Sequence, residues 1–239
     1  MKPLPPHFRE DVRRRLRERA QAARLDGLLL LGSGNLAFAT GLNFSVNERP
    51  MGLWLPVEEE ALLLVPHLEL ENAMDIPGVE VRTYEEFPGE RPPILWMSEE
   101  AGARRMAVDT LGAELLPEAR AKLERLELVD HARPERAVKG TAELVLIREA
   151  ARFADLVLER LLEVGGDIIG QGGTEQDLLT DCTGHVGKVL LATHGDAFEG
   201  TRTRITASIH PGPRAALPHG SVTARQPQPG EPIVAGIGC

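Results

Sequence analysis

The N-terminal part of the chain alternates apolar and charged residues at helical spacing. Apolar residues that recur every three or four positions line one face of an α-helix, so the pattern predicts a helix over residues 8–25. Several arginines lie between the apolar positions. They could form a basic binding patch, but a solvated polar face is the simpler interpretation in an acidic chain. The apolar positions are Phe8, Val12, Leu16, Ala20 and Ala23.

Short apolar runs follow, separated by Gly, Pro and acidic turns, and such runs are typical of β-strands. The first extends from Gly27 to Gly32, and its unbroken leucines indicate a strand that is buried on both faces. Strands that alternate with helices indicate a mixed α/β layer fold with some parallel pairing. The other predicted strands are 51–56, 61–65, 79–84, 106–109 and 126–130, with helices at 66–74 and 114–125.

The chain changes character at residues 131–140, where Pro134, scattered charges and Gly140 interrupt the apolar pattern. Such a stretch is typical of a boundary between domains. We therefore predict a first domain of residues 1–131, a linker of residues 132–140 and a second domain of residues 141–239.

The second domain begins with a pattern for two helices. Thr141 is expected to cap the first and Gly165-Gly166 to end it, while Thr174 is expected to cap the second. Beyond residue 195, frequent Gly and Pro indicate loops with short strands at 203–209, 221–224 and 232–237. The expected buried stripes are Leu144, Ile147, Ala151, Ala154, Leu158 and Leu161 on the first helix, and Leu178, Cys182, Val186 and Val189 on the second.

Composition and charge exclude several classes of partner. With 42% hydrophobic and 26% charged residues, the 239-residue chain can bury a sizeable core. A formal net charge of -9 repels phosphate backbones, so nucleic acid is not expected as a partner. The apolar run Leu28–Leu31 is too short to cross a bilayer, so no membrane association is expected. Two isolated cysteines and the lack of a secretory leader favour a cytoplasmic location.

The common local motifs of catalysis are missing or incomplete. Gly32-Ser-Gly34 lacks the third glycine of a dinucleotide fingerprint, and no GxSxG elbow occurs. Cys182 lies on a predicted apolar helix face, where an inert buried thiol is expected. The C-terminal region does concentrate imidazole and carboxylate groups, which are ligands for divalent metals. Their spacing matches no local metal motif, so a separate metal site remains a minor hypothesis for His194, Asp196 and His210.

Five segments, in order along the chain, resemble those of one enzyme family. The stretch from Arg136 to Arg152 is similar to the signature that opens the catalytic domain of prolidases, aminopeptidase P and creatinase. Asn35 to Gly41 is similar to a motif in the N-terminal domain of the same family. The matching signature residues are Arg136, Lys139, Glu143, Ile147, Arg148 and Ala150, and the other similar segments are Gly173–Leu178, Gly212–Gly220 and Gln228–Val234.

The resemblance implies a fold and a chemistry. It implies a creatinase-type N-terminal α/β domain followed by a truncated pita-bread (α+β) catalytic domain. Enzymes of this family hydrolyse Xaa-Pro peptide bonds with two divalent metal ions (Mn, Co or Zn), which activate a bridging water. Proline-containing peptides are therefore the expected ligands. By resemblance, His219 would border the active site and contact substrate.

One position departs from the family pattern. The first of five metal-binding side chains, an aspartate, would occupy the position of Gly236, and the other four would follow Cys239. No cofactor is therefore expected for this chain, which we predict to be inactive as it stands. A non-catalytic binding or dimerisation module, forming a homodimer, is the alternative. We also expect residues 1–130 to be compact and the residues after about 190 to be the least stable or to pair with something else.

Overall fold

The structure is a computed structural model that describes residues 4–5, 7–44, 48–86, 89, 91–198, 201, 203–217 and 219–239, without the side chain of Asp196. The chain divides into two compact units, of which one is Pro5–Lys139 and the other consists mainly of Gly140–Cys239. Among the described helices, none combines the length and the apolar character that a bilayer span requires.

A six-stranded mixed sheet forms the centre of the first unit, in the order β4-β3-β2-β1-β5-β6. β2 pairs antiparallel with both β1 and β3, whereas the other three pairings are parallel. The leucines of β1 are buried on both faces of the sheet, as their unbroken run predicts. The strands are β1 Gly27–Leu30, β2 Gly52–Pro56, β3 Ala61–Pro66, β4 Val79–Tyr84, β5 Arg105–Val108 and β6 Arg125–Leu128.

Helices cover both faces of this sheet, and the helix predicted at residues 8–25 is confirmed as α1, Phe8–Ala22. Residues 132–137, which the sequence analysis assigns to the linker, instead form helix α6. Asp130 caps this helix by accepting hydrogen bonds from the backbone N–H groups of Ala132 and Arg133. The remaining helices of the unit are α2 Ser33–Thr40, α3 Leu70–Ala73, α4 Pro93–Glu100, α5 Leu116–Lys122 and α6 Ala132–Ala137.

The arginine-rich face of α1 is not uniformly solvated, in contrast to the expectation. Arg13 is only 5% exposed, and its guanidinium donates hydrogen bonds to the backbone carbonyls of Ala39 (2.9 Å) and Pro77 (3.0 Å). Burial lowers the pKa of Arg13. Arg15 and Arg19 both pair with Glu135 of α6. These arginines therefore connect parts of the first unit.

A buried polar network joins the ends of β1, β5 and β6 in the first unit. Asn35 donates from its amide to Asp109 (2.6 Å) and Asp130 (3.0 Å), and it accepts a hydrogen bond from Arg136 (2.9 Å). Asp109 also accepts from the backbone N–H groups of residues 31 and 32. Burial nevertheless raises the pKa of Asp109 above its ordinary value. Asn35 opens the motif that resembles the family, so this position has a structural role.

The second unit packs two helices against a two-stranded antiparallel sheet. The helices are α7 Thr141–Gly170 and α8 Glu175–His194, and the strands are β7 Thr206–Pro211 and β8 Ile233–Gly238. Thr174 caps α8 as predicted, because its hydroxyl accepts a hydrogen bond from the N–H of Asp177. The predicted strand at 221–224 does not form.

Helix α7 corrects three expectations. It continues through Gly165-Gly166 to Gly170, and the left-handed turn follows at Gly172 (φ 83°). Thr141 is the first helical residue and not the cap. The stripe that packs against α8 and the sheet is Phe153, Val157, Leu161 and Gly165, so most of the predicted stripe faces away from this core. Two apolar stripes run along this helix, and helical periodicity alone does not distinguish which one is buried.

Candidate functional site

The candidate site lies on one face of the β7–β8 hairpin. Side chains alternate between the two faces of a strand, and directly paired residues share a face. Ile209 pairs with Ala235, and both pack against the core that α7 and α8 form. Ser208 and its partner Gly236 must therefore lie on the opposite face, together with His210.

Gly236 is the position where the resemblance implies a metal-binding aspartate. A Cβ atom added at this residue would lie 3.0 Å from the hydroxyl oxygen of Ser208, which is closer than ordinary contact. An aspartate would fit only if the Ser208 hydroxyl moved by a few tenths of an ångström. As it stands, Gly236 itself offers no side-chain oxygen or nitrogen to a cation.

His219 follows the short helical turn of residues 212–216 and is exposed. Its ring makes no hydrogen bond to the part of the chain that the structure describes. The surrounding backbone is fixed by Arg214, which donates to the carbonyl of Ser221, and by the N–H of Gly220, which donates to the carbonyl of Leu217. The imidazole is therefore free to contact a ligand on an anchored loop.

Glu175, in the first turn of α8, anchors that loop. It is fully buried and accepts hydrogen bonds from the backbone N–H and the hydroxyl of Thr223, both at 2.9 Å. The Nε atom of Arg214 lies 2.9 Å from its Oε1 atom. Burial by itself raises the pKa of the Glu175 carboxyl. The hydrogen bonds from Thr223 and Arg214 have a larger, opposite effect because they stabilise the ionised form, so the pKa lies below its ordinary value.

The hypothesis of a separate metal site on His194, Asp196 and His210 finds no support in the described residues. His194 Nε2 lies 2.8 Å from Glu149 Oε1, and its ring packs edge-on against Phe153 and Phe198. The side chain of Asp196 lies outside the description. Across the described part of the chain, no group of three His, Cys, Asp or Glu side chains is arranged to hold a metal ion.

Glu149 is held by two neighbours. The hydrogen bond from Arg152 lowers the pKa of Glu149 to about 2, and the hydrogen bond from His194 acts in the same direction. His210 presents a different situation, because it is 1% exposed and neither ring nitrogen has a hydrogen-bond partner in the described part of the chain. Such a buried polar ring is costly, and nothing in the sequence pattern indicates it.

Comparison with known proteins identifies the family. The family model of the creatinase/prolidase N-terminal domain matches residues 13–139, which include all of the first unit's sheet. The chain belongs to the creatinase/prolidase N-terminal domain family. Arg13, Arg15, Arg19 and the Asn35 network all lie within the matched residues. No curated protein matches the chain.

Solved structures extend the similarity over both units of this creatinase/prolidase-family chain. Dipeptidase PepE from Mycobacterium ulcerans has 22% identity and a TM-score of 0.68, and the match covers 98% of this chain and 61% of that one. The prolidase from Thermococcus sibiricus has 18% identity and a TM-score of 0.69, and the match covers 96% of this chain and 61% of that prolidase. The Xaa-Pro dipeptidase from Bacillus anthracis has 17% identity and a TM-score of 0.65, and the match covers 96% of this chain and 61% of that dipeptidase.

These similarities confirm the expected fold, a creatinase-type N-terminal α/β domain followed by part of a pita-bread (α+β) domain. Because the sequence identities are all below 25%, these similarities show the fold alone. The chain spans about 60% of the length of the solved structures that it matches. The activity of the whole proteins is therefore a proposal for this chain.

Proposed function

We propose that this chain is an Xaa-Pro dipeptidase-type or aminopeptidase P-type metallopeptidase homologue, and that residues 1–239 alone do not hydrolyse Xaa-Pro bonds. Gly236 carries this proposal. It lies on the face of the β7–β8 hairpin that points away from the helices, at the position where the family resemblance implies a carboxylate ligand.

The described residues do not fit a pair of divalent cations. A metal centre of this kind supplies an activated water and polarises the scissile carbonyl, but it requires several carboxylate or imidazole ligands directed to one point. Gly236 provides no donor atom, and the described residues contain no group of three such ligands. What the chain's own residues can do is present an exposed imidazole, His219, from a loop that Glu175 and Arg214 anchor.

The same proposal includes a ligand class and a cellular location for the chain. A proline-containing peptide is the ligand class that His219 would contact, by resemblance to the family. The acidic charge of -9 argues against nucleic acid as a partner. A cytoplasmic location agrees with the absence of membrane-spanning helices in the described residues and with two unpaired cysteines, one buried and one exposed.

Metal content and peptide hydrolysis test the proposal together. The purified chain is incubated with Mn²⁺, Co²⁺ or Zn²⁺, desalted and analysed for bound metal, and it is then assayed with Ala-Pro and with a longer Xaa-Pro peptide. We expect no stoichiometric metal and no turnover. The variant Gly236→Asp is expected to remain inactive, because one restored carboxylate does not complete a two-metal centre. Two bound metal ions per chain together with Ala-Pro turnover would overturn the proposal.

A non-catalytic binding or dimerisation module is the second candidate. One observation favours it: α7 exposes an apolar stripe to solvent, formed by part of the same residues that the sequence pattern predicts to be buried.

A further inference from the structure

A groove of about 580 Å³ follows the C-terminal half of α8 in the second unit. Helix α8 forms one wall, and the segment that leads from α8 to β7 forms the other. A volume of this size is typical of sites for small molecules. Every described residue that lines this α8 groove belongs to the second unit. The apolar part of the lining is Gly184, Gly187, Leu190, Leu191, Phe198 and Ile205.

Two glycines form the floor of the α8 groove. Gly184 and Gly187 lie beside the stripe of α8 that packs into the core, which includes Cys182 and Val186. A Cβ atom added at either glycine would meet no other atom within 4 Å, so the packing of the chain does not require a glycine at these positions. Glycine is also unfavourable inside a helix. The two missing side chains therefore leave open space at the helix surface that a ligand can occupy.

The walls of the groove are apolar, and the groove is long. Leu190 and Ile205 pack against the core of the second unit, whereas Leu191 is 67% exposed at the surface. The helical residues that line the groove extend from residue 183 to residue 194, which corresponds to about 16 Å of helix. A long, narrow apolar surface of this kind fits an extended alkyl chain better than a compact ring.

Most polar groups of the described lining already have partners or are inaccessible. The hydroxyls of Thr183 and Thr203 form hydrogen bonds within the second unit. The ring of His194 is bound to Glu149 through Nε2, and its Nδ1 atom is buried. Arg204 differs, because it is exposed and its side chain forms no ion pair or hydrogen bond with any residue that the structure describes. Its guanidinium group is therefore available to a ligand.

This arginine gives the groove a preference for an anion. None of the described side chains that line the groove is acidic. A guanidinium group binds a carboxylate through two parallel hydrogen bonds, which a neutral apolar molecule cannot accept. A ligand with many hydroxyl groups would find few free polar partners along the rest of the lining. One carboxylate joined to an apolar chain matches both parts of the surface.

We propose that the α8 groove binds a medium-chain fatty acid, with its carboxylate on Arg204 and its alkyl chain over Gly184 and Gly187. Burial of the alkyl chain supplies most of the attraction. The ion pair is exposed to solvent, so it contributes less to affinity and mainly selects an acid over a neutral molecule. This ligand differs from the Xaa-Pro peptides proposed above, and its binding does not depend on hydrolysis.

Isothermal titration calorimetry of the full chain with decanoate tests the groove. We expect saturable binding of one decanoate per chain, and at least about tenfold weaker binding for Gly187→Leu, whose side chain fills the groove. Leucine is a better helix former than glycine and has room at this position, so the variant keeps its fold. The matched control Gly166→Leu changes an equally open glycine of α7 and leaves the affinity unchanged. A chain without saturable binding, or unchanged affinity in Gly187→Leu, would overturn the proposal.

Decanol, which has the same alkyl chain without the charge, tests the role of Arg204. We expect decanol to bind about fivefold more weakly than decanoate, as is reasonable for an exposed ion pair. Arg204→Gln should weaken decanoate binding by a similar factor and leave decanol binding unchanged. The control Arg148→Gln removes an exposed arginine of α7 and should affect neither ligand. Equal affinity for the two ligands, or an Arg204→Gln variant that binds decanoate normally, would refute recognition of a carboxylate.

Discussion

At the scale of single residues, two charged side chains are buried although the hydrophobic pattern of the sequence does not predict it. Arg13 and Glu175 are both buried, and each connects separate segments through hydrogen bonds to backbone groups. A charged group in such a position is stabilising only while its partners are present. These two residues therefore contribute to stability and not to chemistry.

Removal of the Arg13 side chain is expected to destabilise the first unit. Arg13→Ala leaves the carbonyls of Ala39 and Pro77 without their donor, and we expect a loss of about 3 kcal/mol in the free energy of unfolding. Urea denaturation followed by circular dichroism measures this quantity. The control Arg14→Ala removes an exposed i,i+4 ion pair with Glu18 and is expected to cost less than about 0.5 kcal/mol. Equal losses in both variants would contradict the structural role of Arg13.

Acid is expected to weaken the second unit through Glu149. Its pKa in the folded state is about 2, below the ordinary value of 4.5, mainly because Arg152 donates hydrogen bonds to the ionised carboxylate. A lowered folded-state pKa gives stability that is fully present above pH 4.5 and is lost as the pH falls toward 2.

The unfolding free energy measured between pH 6 and pH 2 tests this dependence. Glu149→Gln should show a shallower decline with acid than the unchanged chain, because its side chain does not titrate. The comparison variant Glu159→Gln changes an exposed glutamate of the same helix and should retain the original slope. Identical slopes in all three proteins would show that Glu149 is not responsible.

At the scale of elements, the hydrophobic pattern predicts where helices and strands lie better than it predicts which face is buried. All six strands of the first sheet and helix α1 lie close to their predicted positions, because the strands are short apolar runs between turn residues and the helix has a clear period. On α7 the pattern fails, since two apolar stripes share one helix and only tertiary packing selects Phe153 and Val157. The buried ring of His210 and the anchor Glu175 are also missed, because polar residues carry no periodic signal.

Glycines in the second unit give a test at this scale. Gly166 lies inside α7 with open space around it, so Gly166→Ala is expected to stabilise the unit by about 0.5–1 kcal/mol through higher helix propensity. Gly172→Ala is the matched comparison and should have the opposite effect. The positive φ of 83° at Gly172 is strained for alanine, so we expect the free energy of unfolding to fall by a similar amount. Thermal unfolding compares the two variants. A stabilising Gly172→Ala would show that the turn after α7 differs from the one described.

At the scale of the whole molecule, the two units differ in how well their sheets are enclosed. The first unit has six strands with helices on both faces, whereas the hairpin of the second unit has two strands and helices on one face in the described residues. Two-stranded sheets depend on packing against another element for their stability. The residues after about 190 should therefore open more readily than those of the first unit.

Hydrogen exchange in dilute solution measures this difference. Amides of β1 and β2 exchange only when the first unit opens as a whole, because both strands are central in the sheet. Amides of β7 and β8 are expected to exchange at least about tenfold faster by local opening of the hairpin. Uniform protection of both units in the dilute monomer would show that the hairpin is as stable as the six-stranded sheet.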